Sequence, residues 1–96
     1  MYLGNINDHL SKDQTTKATI YKDDRFHVML LHLPEGDELK PHKSKTDACC
    51  IVQKGEVEFK LEEEMYHYRK GDLFSFRAGQ LHSLKAITDF SMLIIK

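Results

Sequence analysis

Regularly spaced turn signals are the feature that most constrains the fold of this chain. Glycine, proline and short charged clusters that favour turns recur at residues 34–37, 54–56, 62–64, 70–72 and 77–80. The runs between them are short and rich in β-favouring side chains, and none sustains an apolar period of 3.6 residues. We therefore predict an all-β domain built from short strands.

The clearest predicted strand is 57–61, where Val57, Phe59 and Leu61 alternate with charged residues, so that one face is apolar. The other predicted strands are 15–21, 25–33, 38–42, 47–53, 65–69, 73–76, 82–87 and 90–95. An open sheet of this many strands would leave reactive edges. We therefore expect a sandwich or a closed barrel.

The length of 96 residues is enough for one small domain with a single hydrophobic core. We assign the barrel to residues 15–96. Residues 1–14 carry no strand pattern, and we predict either a short helix or an arm that adds to a partner.

Charge and hydropathy limit the partners of this chain. Lys and Arg number 14 against 15 Asp and Glu, and the two signs are interspersed, so no basic stripe for nucleic acid is present. The apolar runs are a handful of residues, far below the roughly 20 that span a bilayer. The N-terminal stretch lacks the basic and apolar regions of a signal peptide. We expect a soluble, cytoplasmic protein that binds neither nucleic acid nor membrane.

Cys49 and Cys50 are adjacent in a predicted strand, and neighbouring strand residues point to opposite faces. A disulfide between them would be strained, so we predict two reduced thiols, as expected in a reducing compartment. A thiolate ligand or a redox pair is the alternative.

Two spaced motifs occupy the centre of the chain, "GDELKPHKSKTDACCIVQKG" and, after a predicted hairpin, "GDLFSFRAGQLHSLKA". They resemble, over residues 30–95, the two motifs that define the cupin superfamily of small jelly-roll β-barrels. The matching positions are Gly36, His42, Gly55, Gly71, Gly79 and His82. The resemblance implies a small single-domain jelly-roll (cupin) barrel. Arg77 and Ala86 stand where the family has proline and asparagine.

The resemblance also implies a metal site. In cupins, two histidines and a glutamate of the first motif and one histidine of the second typically ligate one divalent metal. Only His42 and His82 keep those positions here, because Ser44 replaces the second histidine and Ala48 the glutamate. The implied site is partly lost, with one weakly bound Zn, Fe, Mn, Ni or Cu ion or none. Two pocket histidines without a metal are the alternative.

Other side chains are candidates for the same pocket. Cys50 shares strand parity with Ala48, so it is either a third, thiolate ligand or a plain buried thiol. Arg77, at the rim of the barrel, either offers its guanidinium to an anionic ligand or is solvated. The parity of His32 is undecided, because both faces of its strand are apolar. The remaining histidines are predicted to be surface or packing residues, namely His9, His27 and His67.

Three functional hypotheses follow. The first is a protein that binds a small molecule in the barrel beside a partly lost metal site, with Ser44, Ala48, Cys50 and Arg77 lining the pocket. The second is a metal-dependent enzyme of the oxygenase or isomerase type that uses His42 and His82. The third is a structural or interaction module. In each case we expect a homodimer, because so small a barrel leaves sheet edges that pairing would cover.

Overall fold

The computed structural model describes residues 1–10 and 13–96. It contains nine strands and, in its described part, no α-helix. The strands are β1 (Thr16–Lys22), β2 (His27–Leu33), β3 (Glu38–Lys43), β4 (Ala48–Lys54), β5 (Glu56–Leu61), β6 (Glu64–Arg69), β7 (Leu73–Phe76), β8 (Leu81–Ala86) and β9 (Phe90–Ile95). Each predicted strand is present, with ends shifted by two residues or fewer. The all-β prediction is confirmed.

The strands form two antiparallel sheets. One has five strands in the order β1-β2-β9-β4-β7, and the other has four in the order β3-β8-β5-β6. Consecutive strands therefore often lie in different sheets, as in a jelly roll. The sheets are not joined by hydrogen bonds into one closed barrel, so β1, β7, β3 and β6 remain edge strands within the described chain. The jelly-roll fold class is confirmed.

The hydrophobic core lies between the two sheets and follows from strand alternation. Every second side chain of a strand points inward, so Val57 and Phe59 are buried on β5 while Glu58 between them is exposed. The five-stranded sheet contributes Leu31, Leu33, Val52, Phe90 and Met92, among others. Phe59 packs against Phe74 with ring centroids 4.7 Å apart. This burial of apolar area is the main source of stability for so small a domain.

The N-terminal segment contains a short 3-10 helix, Ile6–His9, whose start is capped by Asn5. The side-chain Oδ1 of Asn5 accepts a hydrogen bond from the backbone N–H of Asn7 at 2.9 Å. The segment lies beside the five-stranded sheet, where it forms a shallow cleft with Gln53, Lys54 and Ser91. This helix lies within the predicted N-terminal segment 1–14, of which residues 11 and 12 lie outside the described residues; the division of the chain at residue 15 and the addition of the segment to a partner stay predictions. Among residues 1–10 and 13–96, no helix has the length and hydrophobicity needed to cross a membrane.

The two cysteines are free thiols on opposite faces of β4. Cys49 is exposed, whereas Cys50 is fully buried in the core. This is the arrangement that the two-residue strand period predicts for adjacent residues.

Candidate functional site

One open end of the space between the sheets is a cavity of about 380 Å³. Side chains from both sheets line it, among them Leu31 and Met92 from the five-stranded sheet and Leu39 and Leu84 from the four-stranded sheet. The walls are apolar and are formed mainly by Met29, Leu31, Leu39, Leu84, Met92 and Ile94. The polar residues of the lining include both motif histidines.

His42 and His82 lie side by side at this cavity. They are direct cross-strand partners in the pairing of β3 with β8, and their ring centroids are 4.3 Å apart with an angle of 60° between the ring planes. His82 is only 4% exposed, whereas His42 is exposed at the mouth. The two histidines that the motifs single out are forty residues apart in sequence, and the fold brings them together.

Both imidazoles are oriented by the backbone in the same way. Nδ1 of His42 lies 2.9 Å from the carbonyl oxygen of Lys40, and Nδ1 of His82 lies 3.0 Å from that of Gln80. A carbonyl oxygen can only accept, so each Nδ1 carries the proton and donates it. In the neutral rings, Nε2 is then left with a free lone pair. Metal-binding histidines are held by hydrogen bonds of this kind.

The environment keeps His82 neutral. Burial lowers the pKa of His82 below its ordinary value of 6.5, and the nearby charges of His42, Lys17 and Lys96 act in the same direction. The hydrogen bond to the Gln80 carbonyl opposes this effect only in part. At neutral pH the ring can therefore accept a hydrogen bond or ligate a metal through Nε2.

An aromatic ring lies beside His82. Phe76 lines the cavity, and its ring centroid is 4.1 Å from that of His82. Phe76 is also the cross-strand partner of Ala48, at the position where the cupin motif has glutamate. Ala48 itself is buried in the core and does not line the cavity. At this position the chain therefore places apolar atoms where a metal-binding cupin places a negative charge.

The other predicted pocket residues differ in their placement. Ser44 lines the mouth of the cavity, and its Oγ accepts a hydrogen bond from the backbone N–H of Thr46 at 3.2 Å. Cys50 lies in the core, where burial raises its pKa to about 12 and keeps the thiol protonated. Arg77 is exposed, and it lies outside the cavity lining. Of the four residues predicted for the pocket, only Ser44 reaches the cavity, because the core packing of β4 encloses Ala48 and Cys50.

The donor set fits a metal ion only partly. Two imidazole Nε2 atoms are suitable ligands for Zn, Fe, Ni or Cu. However, the described part of the chain contains no group of three or more His, Cys, Asp and Glu side chains that could hold a metal ion. A protein site for zinc normally supplies at least three ligands.

His32 does not supply the missing ligand. Its neighbours Leu31 and Leu33 point into the core, so His32 points to the outer face of the five-stranded sheet. It is 2% exposed there, and neither ring nitrogen has a hydrogen-bond partner among the residues that the structure describes.

Sequence reasoning missed part of the cavity lining. His27, predicted to be a surface or packing residue, is half-buried on the cavity wall, with Nε2 2.9 Å from Oγ1 of Thr19. Lys17 and Lys96 also line the cavity, although neither belongs to a motif. His27 shares strand parity with Met29 and Leu31, and this parity could have placed it on the cavity wall. The sequence did not show which parity faces inward, because the strand is apolar on both faces.

The jelly-roll topology and the paired motif histidines define a cupin-type protein. A family model described as a cupin domain matches residues 29–96, and the chain belongs to this family. Comparison with curated protein sequences gave no significant match.

Solved structures agree with this assignment. A conserved protein of unknown function from Streptococcus pyogenes is 27% identical, with a TM-score of 0.79 over 88% of this chain and 75% of that chain. KdgF from Halomonas sp. is 17% identical, with a TM-score of 0.84 over 99% of this chain and 91% of that chain. The cupin domain of Cnp3 from Schizosaccharomyces pombe is 18% identical, with a TM-score of 0.83 over 97% of this chain and 72% of that chain. The last two similarities show the fold alone.

Proposed function

We propose that this cupin binds a small organic molecule in the cavity between its sheets, beside a partly lost metal site. The observation that carries the proposal is the pair of histidines at the cavity, each with Nδ1 held by a backbone carbonyl and Nε2 available. The volume of about 380 Å³ falls within the range of roughly 300–1,000 Å³ that is usual for small-molecule sites. Apolar walls with a few convergent polar atoms are typical of such sites.

A fragment titration tests the binding proposal. Backbone amide resonances of the ¹⁵N-labelled protein would be followed while single fragments, both neutral and charged, are added. We expect binding fragments to shift the resonances of Leu39, Leu84 and Ile94, which line the cavity, more than that of Val57 in the closed part of the core.

A cavity-filling variant provides the control for this titration. Leu39→Trp should abolish the shifts, because the larger side chain occupies the cavity. Leu73→Trp should preserve them, because Leu73 is 68% exposed on β7 and lies outside the cavity. Equal binding by both variants would show that the fragments bind elsewhere and would refute the proposal.

For the metal, the proposal is weak or substoichiometric binding of one divalent Zn, Fe, Mn, Ni or Cu ion by His42 and His82. A bound ion would supply Lewis-acid chemistry. The apolar surroundings of Ala48 supply no negative charge to hold it. Metal-dependent catalysis of the oxygenase or isomerase type is therefore the second candidate function. It requires a third metal ligand, and among the described residues no further His, Cys, Asp or Glu side chain joins the histidine pair in a possible metal site.

Isothermal titration with Zn²⁺ separates these two candidates. We expect weak binding that is lost in His42→Gln and in His82→Gln and kept in His67→Gln, because His67 is exposed on β6 outside the cavity. Tight binding of one ion per chain by the native protein would contradict a partly lost site and favour the enzyme. Unchanged binding in all three variants would place the ion away from the histidine pair.

A homodimer and a cytoplasmic location are part of the same proposal. The edge strands β6 and β7 carry the exposed apolar side chains Met65 and Leu73, which pairing of two chains would cover. Two free thiols agree with a reducing compartment. Sedimentation velocity and cell fractionation test these two points, and a monomer or a secreted protein would contradict them.

A further inference from the structure

The charge around the cavity is one-sided. Four lysines line it and, among the described residues, no aspartate or glutamate does, although acidic residues slightly outnumber basic ones in the whole chain. The four are Lys17, Lys43, Lys45 and Lys96. A cavity whose lining carries one sign of charge beside apolar walls focuses its field on a ligand of the opposite sign.

Two of these lysines are directed to the cavity by the sheet itself. Lys17 on β1 is the cross-strand partner of Leu31, an inward-facing residue, so the two share the inner face of the sheet. Lys96 follows β9 with the parity of Met92 and Ile94, which also line the cavity. Its backbone is fixed by reciprocal hydrogen bonds with His27.

The ammonium groups of these lysines have no carboxylate partner within residues 1–10 and 13–96. The ion pairs there join Arg25 to Asp23 and His67 to Glu56, and neither involves a lysine. An anionic ligand at the cavity would therefore meet lysine charges that no carboxylate of the described residues neutralises.

We infer that the ligand is an amphipathic organic anion, with one oxyanion group held by Lys17 and Lys96 and an apolar body against Leu31, Met92 and Ile94. Nε2 of His82 accepts a hydrogen bond from a hydroxyl or amide group of the same ligand. The inference rests on the proposed function and adds the chemical class of the ligand to it. Carboxylates and phosphate monoesters share the chemistry that the lysines recognise.

The test uses probes that differ mainly in the head group. Amide resonances would be followed during titration with 3-phenylpropanoate, with its neutral amide and with phenyl phosphate. We expect at least one of the two anions to bind tenfold or more tightly than the amide, with affinity that falls as NaCl is raised from about 50 to 500 mM. The tighter of the two anions identifies the head group.

Matched double variants identify the residues. Lys17→Ser with Lys96→Ser should reduce the affinity for the anion to that for the amide and leave binding of the amide unchanged. Lys60→Ser with Lys85→Ser removes the same charge from the exposed outer face of the four-stranded sheet and should change neither affinity by more than about twofold. Amide spectra of both variants report directly that they are folded.

The outcomes separate the ligand class from the binding proposal beneath it. If anions and amide bind the cavity equally, the charge inference fails and the binding proposal stands. If none of the three probes shifts the resonances of the cavity lining, the proposed function fails for molecules of this class. If the outer-face variant loses as much affinity as the cavity variant, the effect is one of net charge and the assignment to Lys17 and Lys96 is wrong.

Discussion

Gly55→Ala should destabilise the fold much more than the same substitution at other turn glycines. Gly55 joins β4 to β5 and has φ of +76°. A Cβ atom there would lie 2.0 Å from the carbonyl oxygen of Asp89 and 2.8 Å from Oγ1 of Thr88. These atoms belong to the tight turn between β8 and β9, so relief of the clash requires that turn to move by more than 1 Å before ordinary contact at 3.4 Å is reached.

The magnitude follows from what this turn holds. Oγ1 of Thr88 accepts a hydrogen bond from the N–H of Glu56 at 3.0 Å, and the N–H of Ile87 donates to the carbonyl of Glu56 at 3.0 Å. Loss of these two bonds costs about 1 kcal/mol each. The left-handed conformation costs a non-glycine residue roughly 1–2 kcal/mol more. We expect Gly55→Ala to lower the free energy of unfolding by about 3–4 kcal/mol.

Gly71→Ala is the matched control. Gly71 has φ of +93°, but a Cβ atom added there would meet no atom of the described chain within 4 Å. It should therefore show only the conformational cost, about 1–2 kcal/mol. Urea denaturation followed by circular dichroism measures both values, and the difference of about 2 kcal/mol corresponds to roughly 8–16 °C in Tm. Equal losses in the two variants would refute the close approach of the two turns.

Three further predictions concern the site and the thiols. The pKa of His82 is lowered in the folded chain, so the unfolded chain binds a proton at this residue first as pH falls below about 6.5, and the free energy of unfolding decreases with falling pH. His82→Gln should remove up to about 1.4 kcal/mol per pH unit of this dependence. An unchanged pH dependence in urea titrations would contradict the prediction. Iodoacetamide should label Cys49 rapidly and Cys50 only after unfolding, since Cys50 is buried and has a pKa of about 12. Two rapid labels by mass spectrometry would contradict the burial of Cys50. Ser44→His should tighten Zn²⁺ binding at least about tenfold, because it adds a third imidazole at the cavity. Ser75→His, on the exposed face of β7, should leave the affinity unchanged. Equal affinities of the two variants by calorimetry would show that residue 44 does not reach the ion held by the histidine pair.

The packing changes what the motif comparison suggests for restoring a metal site. By motif alone, Ala48→Glu would restore the missing carboxylate. In the structure Ala48 is buried opposite Phe76 and does not reach the cavity. A glutamate there would bury a charge against an aromatic ring, which is costly without a partner. Ser44 is therefore the more suitable position for a new ligand.

The sequence alone determined the fold class and the positions of the strands. Turn-forming residues recur between short β-favouring runs, and such local preferences act within a few residues, so strand ends were predicted to within two residues. The spacing of His42 and His82 within two motifs also singled out the histidine pair. Alternation placed Cys49 outside and Cys50 inside.

Only the tertiary structure decided the composition of the cavity. Strand 27–33 is apolar on both faces, because one face meets the core and the other is also buried. Which of its side chains point into the core was therefore ambiguous until the pairing with β9 was known. Lys17 and Lys96 lie at opposite ends of the chain and reach one cavity through the register of β1, β2 and β9. Register between distant strands depends on the burial of whole faces, and no local sequence pattern encodes it.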